Sequence, residues 1–360
     1  MDKKNIEHLL NHVPQNLIGV LGDFCVDVYW ELAPERGEIS IETKLKTIPA
    51  SEARYSPGGA GNIVENLRGL NVHDISCFGT VGSDPFGCWL RQTLNSGNQA
   101  AALLEIPRRN YHTPVYCKPL LKGVEQNRFD LGNIPLTEAE TMLLLEAVES
   151  NIEKLNVLII NEQLANGIHN SLFRKEFAKL VKKYSPQVRF IFDGRDHLTA
   201  YPGATLKINA DAASQLAFGE AGHTPEESGK LILDRSGEEL VITDGENGCY
   251  VFEHAGTTFI PAVKYDGPVD TVGAGDSFSA GFAYALSAGA TIPQAAEFAT
   301  CCSAVTVRKL NQTGVPTPSE IRELFAKRKF ALDGSTSKPS AKSASLVKLR
   351  VSIILLQLSI

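Results

Sequence analysis

The most informative stretch of this 360-residue chain is residues 270–290, DTVGAGDSFSAGFAYALSAGA. Phe278, Phe282 and Leu286 recur every four residues after the glycines, which predicts a helix that begins at or just after Gly273-Ala274-Gly275. Unpaired backbone N–H groups and the positive end of the helix dipole attract an anion there, and small residues let it approach closely. The stretch therefore predicts a phosphate-sized anion hole.

Asp276 lies within this predicted anion hole. A carboxylate there repels an anion, so its presence is expected only if it has a chemical role of its own. Removal of a proton is such a role, so Asp276 is a candidate general base. The alternative is that Asp276 only caps the helix, a role that contributes about 0.5 to 2 kcal/mol. Because capping requires neither the paired glycines nor the second acid at Asp270, the whole string favours the base.

Outward from this stretch, apolar runs of strand length alternate with segments of helical period. The predicted strands are residues 17–21, 75–80, 157–160, 190–192, 240–243 and 250–252. The predicted helices include residues 62–70, 137–152, 171–183 and 225–234. This alternation predicts an α/β fold with a doubly wound, mostly parallel sheet flanked by helices.

Two segments in the amino-terminal half break the alternation. Residues 32–55 and 113–130 are polar and β-leaning and have no helical stripe, so we expect them to form a small β flap or lid that helps to exclude water. Residues 331–345 shift to Ser, Lys, Ala and Gly, a composition that cannot bury enough apolar surface to offset ordering. We therefore expect one domain over residues 1–330 and a low-complexity, disordered tail over residues 331–360.

Composition and charge exclude several classes of function. Lys plus Arg total 35 against 41 Asp plus Glu, a net charge of −6, which disfavours nucleic acid as a partner. The seven cysteines form no CxxC pair, as expected of reduced thiols in the cytoplasm. The amino terminus lacks the apolar core of a secretion signal, and no apolar run approaches the roughly 18 to 20 residues that cross a bilayer. We expect a cytoplasmic protein without a membrane partner.

Two other phosphate-binding patterns are missing. Gly229-Lys230 is followed by Leu231 and has no glycine at the required earlier position, which excludes a P-loop. Residues 59–64, GAGNIV, lack the third glycine of a dinucleotide fingerprint, and no strand is predicted closely before them. A Rossmann oxidoreductase is therefore disfavoured.

The glycine-rich motifs carry a family resemblance. DTVGAGD at residues 270–276 resembles the carboxy-terminal signature of the ribokinase-like (PfkB) carbohydrate kinases, and SPGGAGN at residues 56–62 resembles their amino-terminal signature. Two signatures about 210 residues apart, in the family's order, are far more specific than either alone. LGDFCVDVYW at residues 21–30 and QNRFD at residues 126–130 also resemble the branch that phosphorylates heptose 7-phosphate. The resemblance spans roughly residues 17–329.

The resemblance implies an ATP-dependent phosphotransferase that moves the γ-phosphoryl group to a hydroxyl of a sugar or sugar phosphate, a heptose phosphate being the nearest acceptor. It also implies Mg²⁺, a monovalent cation as a further cofactor, and a homodimer formed through the flap. By position, Asp276 would be the base, and the amides of Gly273, Ala274 and Gly275 would stabilise the transferring phosphoryl group. The remaining implied contacts are Asp27, Gly58, Gly59, Asn62 and Arg128 with the sugar substrate, and Asn209, Thr243, Gly245 and Gly248 with the nucleotide.

Each of these secondary residues also has an ordinary structural interpretation. Asp27 fits a turn at a strand end, and Gly58-Gly59 fits a simple helix start. Asp244-Gly245 is a good hairpin turn, so two interpretations stay open for Thr243 and Gly248: they shape the turn, or they contact the nucleotide. Arg128 fits a solvated side chain of a polar β segment. Asp23 and Trp30 are expected to serve the fold.

One position departs from the family pattern. These kinases carry an Asn-x-x-Glu motif whose acid helps to organise magnesium, and the corresponding stretch here, residues 207–212, reads KINADA, with Ala212 in place of the acid. Asp211 is about 100° away around a helix, and Glu162 is a weak candidate replacement. The alternative function is therefore a non-catalytic sugar- or nucleotide-binding protein derived from a kinase.

Overall fold

The structure, a computed structural model, describes residues 3–11, 17–95, 102–310 and 313–326. Within them the strands are β1 (Leu17–Gly22), β2 (Phe24–Leu32), β3 (Ala50–Gly59), β4 (Ile75–Gly82), β5 (Ala102–Ile106), β6 (Val115–Leu121), β7 (Val124–Glu125), β8 (Phe129–Leu131), β9 (Leu155–Asn161), β10 (Arg189–Asp193), β11 (Thr205–Asn209), β12 (Leu240–Thr243), β13 (Gly248–Glu253) and β14 (Gly256–Pro261). The helices are α1 (Lys3–Asn11), α2 (Ala60–Gly69), α3 (Pro85–Leu94), α4 (Glu138–Ile152), α5 (Ser171–Tyr184), α6 (Ala210–Phe218), α7 (Pro225–Ser236), α8 (Ala274–Ser287), α9 (Ile292–Thr306) and α10 (Pro318–Ala326).

The main sheet has the strand order β14-β13-β12-β11-β10-β9-β1-β4-β5. From β12 to β5 every neighbouring pair is parallel, whereas β12, β13 and β14 form an antiparallel meander at one edge. All the predicted strands and the four predicted helices named above are present, and the predicted α/β, mostly parallel fold is confirmed.

Helices cover both faces of this sheet, which explains why its strands read as continuous apolar runs. In β9, Val157 and Ile159 belong to one buried cluster, which includes residues of α2, α8 and α9. Leu158 and Ile160 alternate with them and belong to the opposite cluster, which includes residues of α4 and α5. Each face is thereby closed by helices, and the carboxyl ends of the parallel strands form one edge of the molecule.

A second, smaller sheet has the order β3-β2-β6-β7, with β8 also paired to β6. Of the segments expected to form a flap, residues 113–130 supply β6, β7 and the start of β8. Residues 32–55 supply only the end of β2 and the first half of β3, joined by a 3₁₀ turn at Pro34–Arg36 and an isolated bridge between Ile39 and Lys46. The flap therefore extends further along the chain than expected, from Phe24 to Gly59.

The expectation that no strand closely precedes residues 59–64 is wrong. β3 runs through Ser56-Pro57-Gly58 and ends at Gly59, directly before α2. Its polar, proline-containing sequence carries no apolar signal because β3 is an edge strand, where the missing N–H of Pro57 is tolerated. The case against a dinucleotide fold therefore rests on the missing third glycine alone.

Several other expectations concern the chain as a whole. The predicted tail, residues 331–360, lies outside the described residues. All seven cysteines are free thiols, six of them buried and Cys88 exposed. Among the residues that the structure describes, no helix combines the length and the apolar character needed to cross a bilayer.

Asp23 joins the two sheets, because it is the single residue between β1 and β2. Its Oδ2 accepts hydrogen bonds from the amides of Gln163 and Leu164 at 2.9 and 2.8 Å, and its Oδ1 accepts one from the Ile168 amide at 2.8 Å. Asp23 is only 2% exposed, so these three amides have little access to water as a substitute partner. This is the fold role expected for Asp23.

Replacing Asp23 with Ala should lower the free energy of unfolding by about 2 to 4 kcal/mol, because it leaves buried amide donors without acceptors. Urea denaturation followed by circular dichroism measures the change. Asp234→Ala, at an exposed position of α7, is the control and should stay within about 0.5 kcal/mol of the parent. Equal stability of the two variants would contradict the role assigned to Asp23.

Candidate active site

The predicted helix start is confirmed, because α8 begins at Ala274 with Gly273 as its N-cap. Gly273 has φ +78°, a conformation that favours glycine. A Cβ atom at this position would come within 2.9 Å of Nδ2 of Asn62 and 2.8 Å of Cγ2 of Thr313. The glycine therefore permits the first turn of α8 to approach α2 closely.

A hydrogen bond between Asn62 and Asp276 joins the two sequence signatures. Nδ2 of Asn62, on α2, donates to Oδ2 of Asp276 at 2.6 Å. Asn66, one turn further along α2, donates through its own Nδ2 to the Asn62 carbonyl at 2.8 Å and to Asn62 Oδ1 at 3.2 Å. Because Oδ1 of Asn62 accepts from Asn66, the NH₂ group of Asn62 is directed at Asp276.

The carboxyl group of Asp276 has a strongly raised pKa. The pKa is raised from 3.8 to about 6, chiefly by burial, and the negative charges of Asp193 and Asp27 act in the same direction. The hydrogen bond from Asn62 and the positive charge of Lys207 partly oppose this shift. Near neutral pH, Asp276 is therefore ionised but readily protonated, as a general base must be.

The loop before α8 is shaped by its own side chains and amides. Asp270 Oδ1 accepts from the Val272 amide at 3.0 Å, which accounts for the second acid of the motif as a turn former. The Ala274 amide, expected to face the phosphoryl group, donates instead to the Thr271 carbonyl at 3.2 Å. Among the described residues, the amides of Gly273, Gly275 and Asp276 have no such backbone partner. Of the three amides implied for the phosphoryl group, those of Gly273 and Gly275 are therefore left to an anion.

Sequence reasoning missed Lys207 and Asp193, which lie beside this turn. Lys207 Nζ donates to both carboxylate oxygens of Asp193, at 2.9 and 3.0 Å, and to the Gly275 carbonyl at 3.4 Å. The available signal was a lysine within the apolar strand β11, since a buried ammonium group requires a partner.

Asp27, Gly58 and Gly59 come together where β2 and β3 pair. Asp27 lies within β2, not at a strand end, and its Oδ1 is 2.9 Å from Lys118 Nζ. A Cβ atom at Gly58 would meet Asp27 Oδ2 at 3.2 Å, so the glycine leaves room for this carboxylate. Gly59, with φ +56°, is the N-cap of α2, which carries Asn62. These residues therefore form one surface that continues to Asp276.

Ser56 is a third residue that sequence reasoning missed. It pairs in register with Asp27, and its buried hydroxyl oxygen lacks a hydrogen-bond partner among the described residues. An orphaned hydroxyl beside a carboxylate is suited to a polar ligand.

Within the part of the chain that the structure describes, Arg128 contacts Asp130 and Tyr116 and forms no hydrogen bond or ion pair with Asp27, Gly58, Gly59 or Asn62. Its guanidinium group forms a bidentate pair with Asp130, at 2.6 and 2.8 Å, and lies 4.4 Å from the centroid of the Tyr116 ring. Both partners of the ion pair are about half exposed.

The residues implied for the nucleotide lie together at the carboxyl end of the main sheet. Asn209 and Thr243 are paired in register at the ends of β11 and β12. Asn209 Oδ1 accepts from the Ala212 amide at 2.8 Å and so caps α6. Gly245 and Gly248, with φ +52° and +122°, form the turn between β12 and β13. The hairpin interpretation is thus correct, and the turn borders the edge where ligands bind in open α/β sheets.

A metal site built from three side chains is absent from the described residues. They contain no group of three His, Cys, Asp or Glu side chains placed to hold a metal ion, and Ala212 offers no ligand. The nearby carboxylates of Asp27 and Asp193 are paired with lysines. Magnesium is therefore not assigned to any side chain of this chain.

Glu162 does not replace the missing acid. Its Oε2 accepts from the amides of Arg195, Asp196 and His197 at 2.9 to 3.0 Å, and its Oε1 contacts the His197 ring. Burial raises its pKa, but the bonds from the amide and ring of His197 and from the other two amides outweigh this and lower the pKa to about 2. Glu162 is thus an anchor for the loop after β10.

Solved structures with the same fold include ribokinases and a phosphofructokinase. Ribokinase from Thermotoga maritima is 20% identical with a TM-score of 0.66 and aligns with 87% of this chain and 100% of its own. Phosphofructokinase-2 from Escherichia coli in complex with potassium is 17% identical with a TM-score of 0.68, covering 87% of this chain and 98% of its own. Ribokinase from Arabidopsis thaliana, complexed with ribose and ATP, is 18% identical with a TM-score of 0.65 and covers 88% and 99%.

Curated proteins of similar sequence include the bifunctional protein HldE of two bacteria. The protein from Hydrogenovibrio crunogenus is 26% identical over 303 residues, which are 82% of this chain and 60% of the relative. The protein from Helicobacter hepaticus is 28% identical over 313 residues, which are 84% of this chain and 62% of the relative. The chain thus spans about three fifths of the length of these relatives.

The profile of the pfkB family of carbohydrate kinases matches residues 26–319. This range includes both glycine-rich signatures and the Asn62–Asp276 contact. The chain therefore belongs to the pfkB family of carbohydrate kinases, phosphotransferases that act on a sugar hydroxyl.

Proposed function

We propose that this protein transfers the γ-phosphoryl group of ATP to a hydroxyl of a sugar phosphate, with Asp276 as the general base. The observation that carries the proposal is the 2.6 Å hydrogen bond from Asn62 to Asp276, a carboxyl group of raised pKa in the first turn of α8. We assign the kinase domain to residues 1–330.

The proposed step divides the work among groups on this chain. Asp276 accepts the proton of the acceptor hydroxyl as that oxygen forms a bond to the γ-phosphorus, and the bond from phosphorus to the β-bridging oxygen breaks to release ADP. Asn62 occupies Oδ2 of the carboxylate, which leaves Oδ1 for the hydroxyl. The amides of Gly273 and Gly275 stabilise the charge on the phosphoryl oxygens, since phosphoryl transfer depends chiefly on positioning and electrostatics.

On the acceptor side, we assign sugar hydroxyls to Asp27, Gly58, Gly59 and Asn62. The heptose phosphate acceptor is supported by the similarity to HldE proteins over most of the chain. Arg128 is paired with Asp130. To bind the phosphate group of the acceptor, Arg128 would have to break this ion pair and form one with the phosphate instead.

On the donor side, we assign the nucleotide to Asn209, Thr243, Gly245 and Gly248. Their place at the carboxyl ends of β11 and β12 supports this assignment. It also puts the nucleotide on the edge of the sheet where Asp193 and Lys207 lie.

Incubation with ATP, Mg²⁺ and a panel of sugars and sugar phosphates, with ADP release as the readout, tests the function. We expect turnover that depends on the acceptor and is greatest with a heptose 7-phosphate. If the parent is silent across the panel and Ala212→Glu is active, the protein is a binder derived from a kinase and the proposal is wrong.

The pH dependence of kcat/KM tests the base. Because the ionised form of Asp276 accepts the proton and its pKa is about 6, kcat/KM should be constant above pH 7. Below pH 6 it should fall about tenfold per pH unit. Asp276→Asn keeps the shape but removes the basicity, and should lower kcat by about 10²- to 10⁴-fold. Parental turnover by Asp276→Asn would contradict the mechanism.

Removing the Asn62 hydrogen bond should shift this profile. In Asn62→Ala the ionised carboxylate loses its donor, so the pKa of Asp276 should rise and the acidic limb should move to higher pH by about one unit. The measurement is the pH profile of kcat/KM, and the control is Asn151→Ala on α4, which should leave the limb in place. A limb that moves to lower pH in Asn62→Ala would contradict the assigned contact.

We also propose a homodimer formed through the second sheet. Large apolar side chains on the loop between β2 and β3 are exposed, with Ile41 81% and Leu45 70% accessible, and Phe129 on β8 is 62% accessible. Surfaces of this kind favour burial against a second copy.

Light scattering during size exclusion measures the mass against 39.0 kDa for one chain. The parent should be a dimer and Ile41→Glu/Leu45→Glu a monomer, because each glutamate must lose its hydration in the interface. Met142→Glu, at a half-exposed apolar position on α4, should remain dimeric. A parent that is monomeric at 100 μM, or a double variant that stays dimeric, would overturn this proposal.

A further inference from the structure

We propose that Lys207 and Asp193 are positioning residues for phosphoryl transfer, because the ion pair that they form fixes the first turn of α8 and balances the charge beside Asp276. The inference rests on the proposed function, in which Asp276 is the base. Neither residue is part of the glycine-rich signatures that point to the reaction.

The pair is buried and well formed. Asp193 ends β10, and Lys207 pairs with it in register on β11. The ammonium group lies 2.9 and 3.0 Å from the two carboxylate oxygens, and the side chains are 8% and 14% exposed. A buried ion pair of this kind contributes little net stability compared with apolar side chains of similar volume. Stability alone is therefore a weak reason for a lysine in this strand.

Both members of the pair also contact α8, on either side of the base. Lys207 Nζ donates to the carbonyl of Gly275, the residue before Asp276. Ser279, three residues after Asp276, donates through its hydroxyl to Asp193 Oδ2 at 2.6 Å. The pair thereby holds the turn that carries the base and one of the two amides that face the phosphoryl group.

The charges of the pair act on Asp276 in opposite directions. Asp193 raises the pKa of Asp276 and Lys207 lowers it, so their effects oppose each other while both are present. The other groups that face Asp276 are Asn62 from α2 and Asp27 from β2, and Asp27 is paired with Lys118. The neighbouring thiol of Cys25 is kept neutral, because burial and the charges of Asp27, Asp23 and Asp276 raise its pKa.

Two single variants distinguish a pair that balances the charge beside Asp276 from one that is purely structural. Lys207→Met leaves Asp193 negative, so the acidic limb of the pH profile of kcat/KM should move to higher pH. Asp193→Asn leaves Lys207 positive, so the same limb should move to lower pH. A purely structural pair would lower activity in both variants without opposite displacements of the limb.

The double variant Lys207→Met/Asp193→Asn removes both charges together and avoids an unpaired buried ion. Its limb should return to the parental position, whereas kcat should remain at least tenfold reduced because the contacts with Gly275 and Ser279 are altered. The double variant also keeps the inference testable if Lys207→Met fails to fold, as judged by circular dichroism. A parental kcat in a folded double variant would overturn the positioning role.

Lys179→Met is the matched control, because Lys179 pairs with Glu176 at the exposed surface of α5. It should leave both kcat and the limb unchanged. An inactive parent would refute the proposed function and not the pair itself. An active parent whose limb is unmoved, or moves in one direction in both single variants, would overturn the inference.

Discussion

The hydrogen bond between Asn62 and Asp276 depends on two helices that begin at the same place. α2 follows a strand of the second sheet, α8 follows the loop that starts at Asp270, and the side chains meet only because Gly273 brings no Cβ atom between them. The same approach gives the carboxylate of Asp276 its environment, since burial raises its pKa and the Asn62 amide moderates the rise. The close approach of the two helices at Gly273 and the raised pKa of Asp276 therefore both follow from one contact.

The sequence predicts the main sheet well for a physical reason. Its strands are buried on both faces, so they appear as apolar runs that need no knowledge of their neighbours. The start of α8 is equally visible, because glycines before a periodic apolar segment are a local signal. The second half of β3, residues 56–59, is not predicted by the same reasoning, since a polar edge strand with Pro57 is stabilised by pairing with β2 and not by its own composition.

The candidate site is predicted less completely, because it depends on contacts between distant residues. Motifs point to Asp276 and Asn62, but the Ala274 amide is engaged within its own turn, a detail of backbone geometry that residue types do not reveal. Lys207 and Asp193 lack a motif altogether and become visible only when neighbouring strands bring them into register. Glu162, which has a suitable residue type at a suitable strand end, is already occupied by three amides and a histidine.

The direct passage from β1 into β2 has a mechanical consequence. With only Asp23 between them, and with that residue bonded to three amides, the second sheet joins the main sheet through a stiff joint and not a flexible tether. Asp27, four residues from this joint, is thereby held close to the main sheet, whereas Ile41 lies on the loop between the end of β2 and the start of β3.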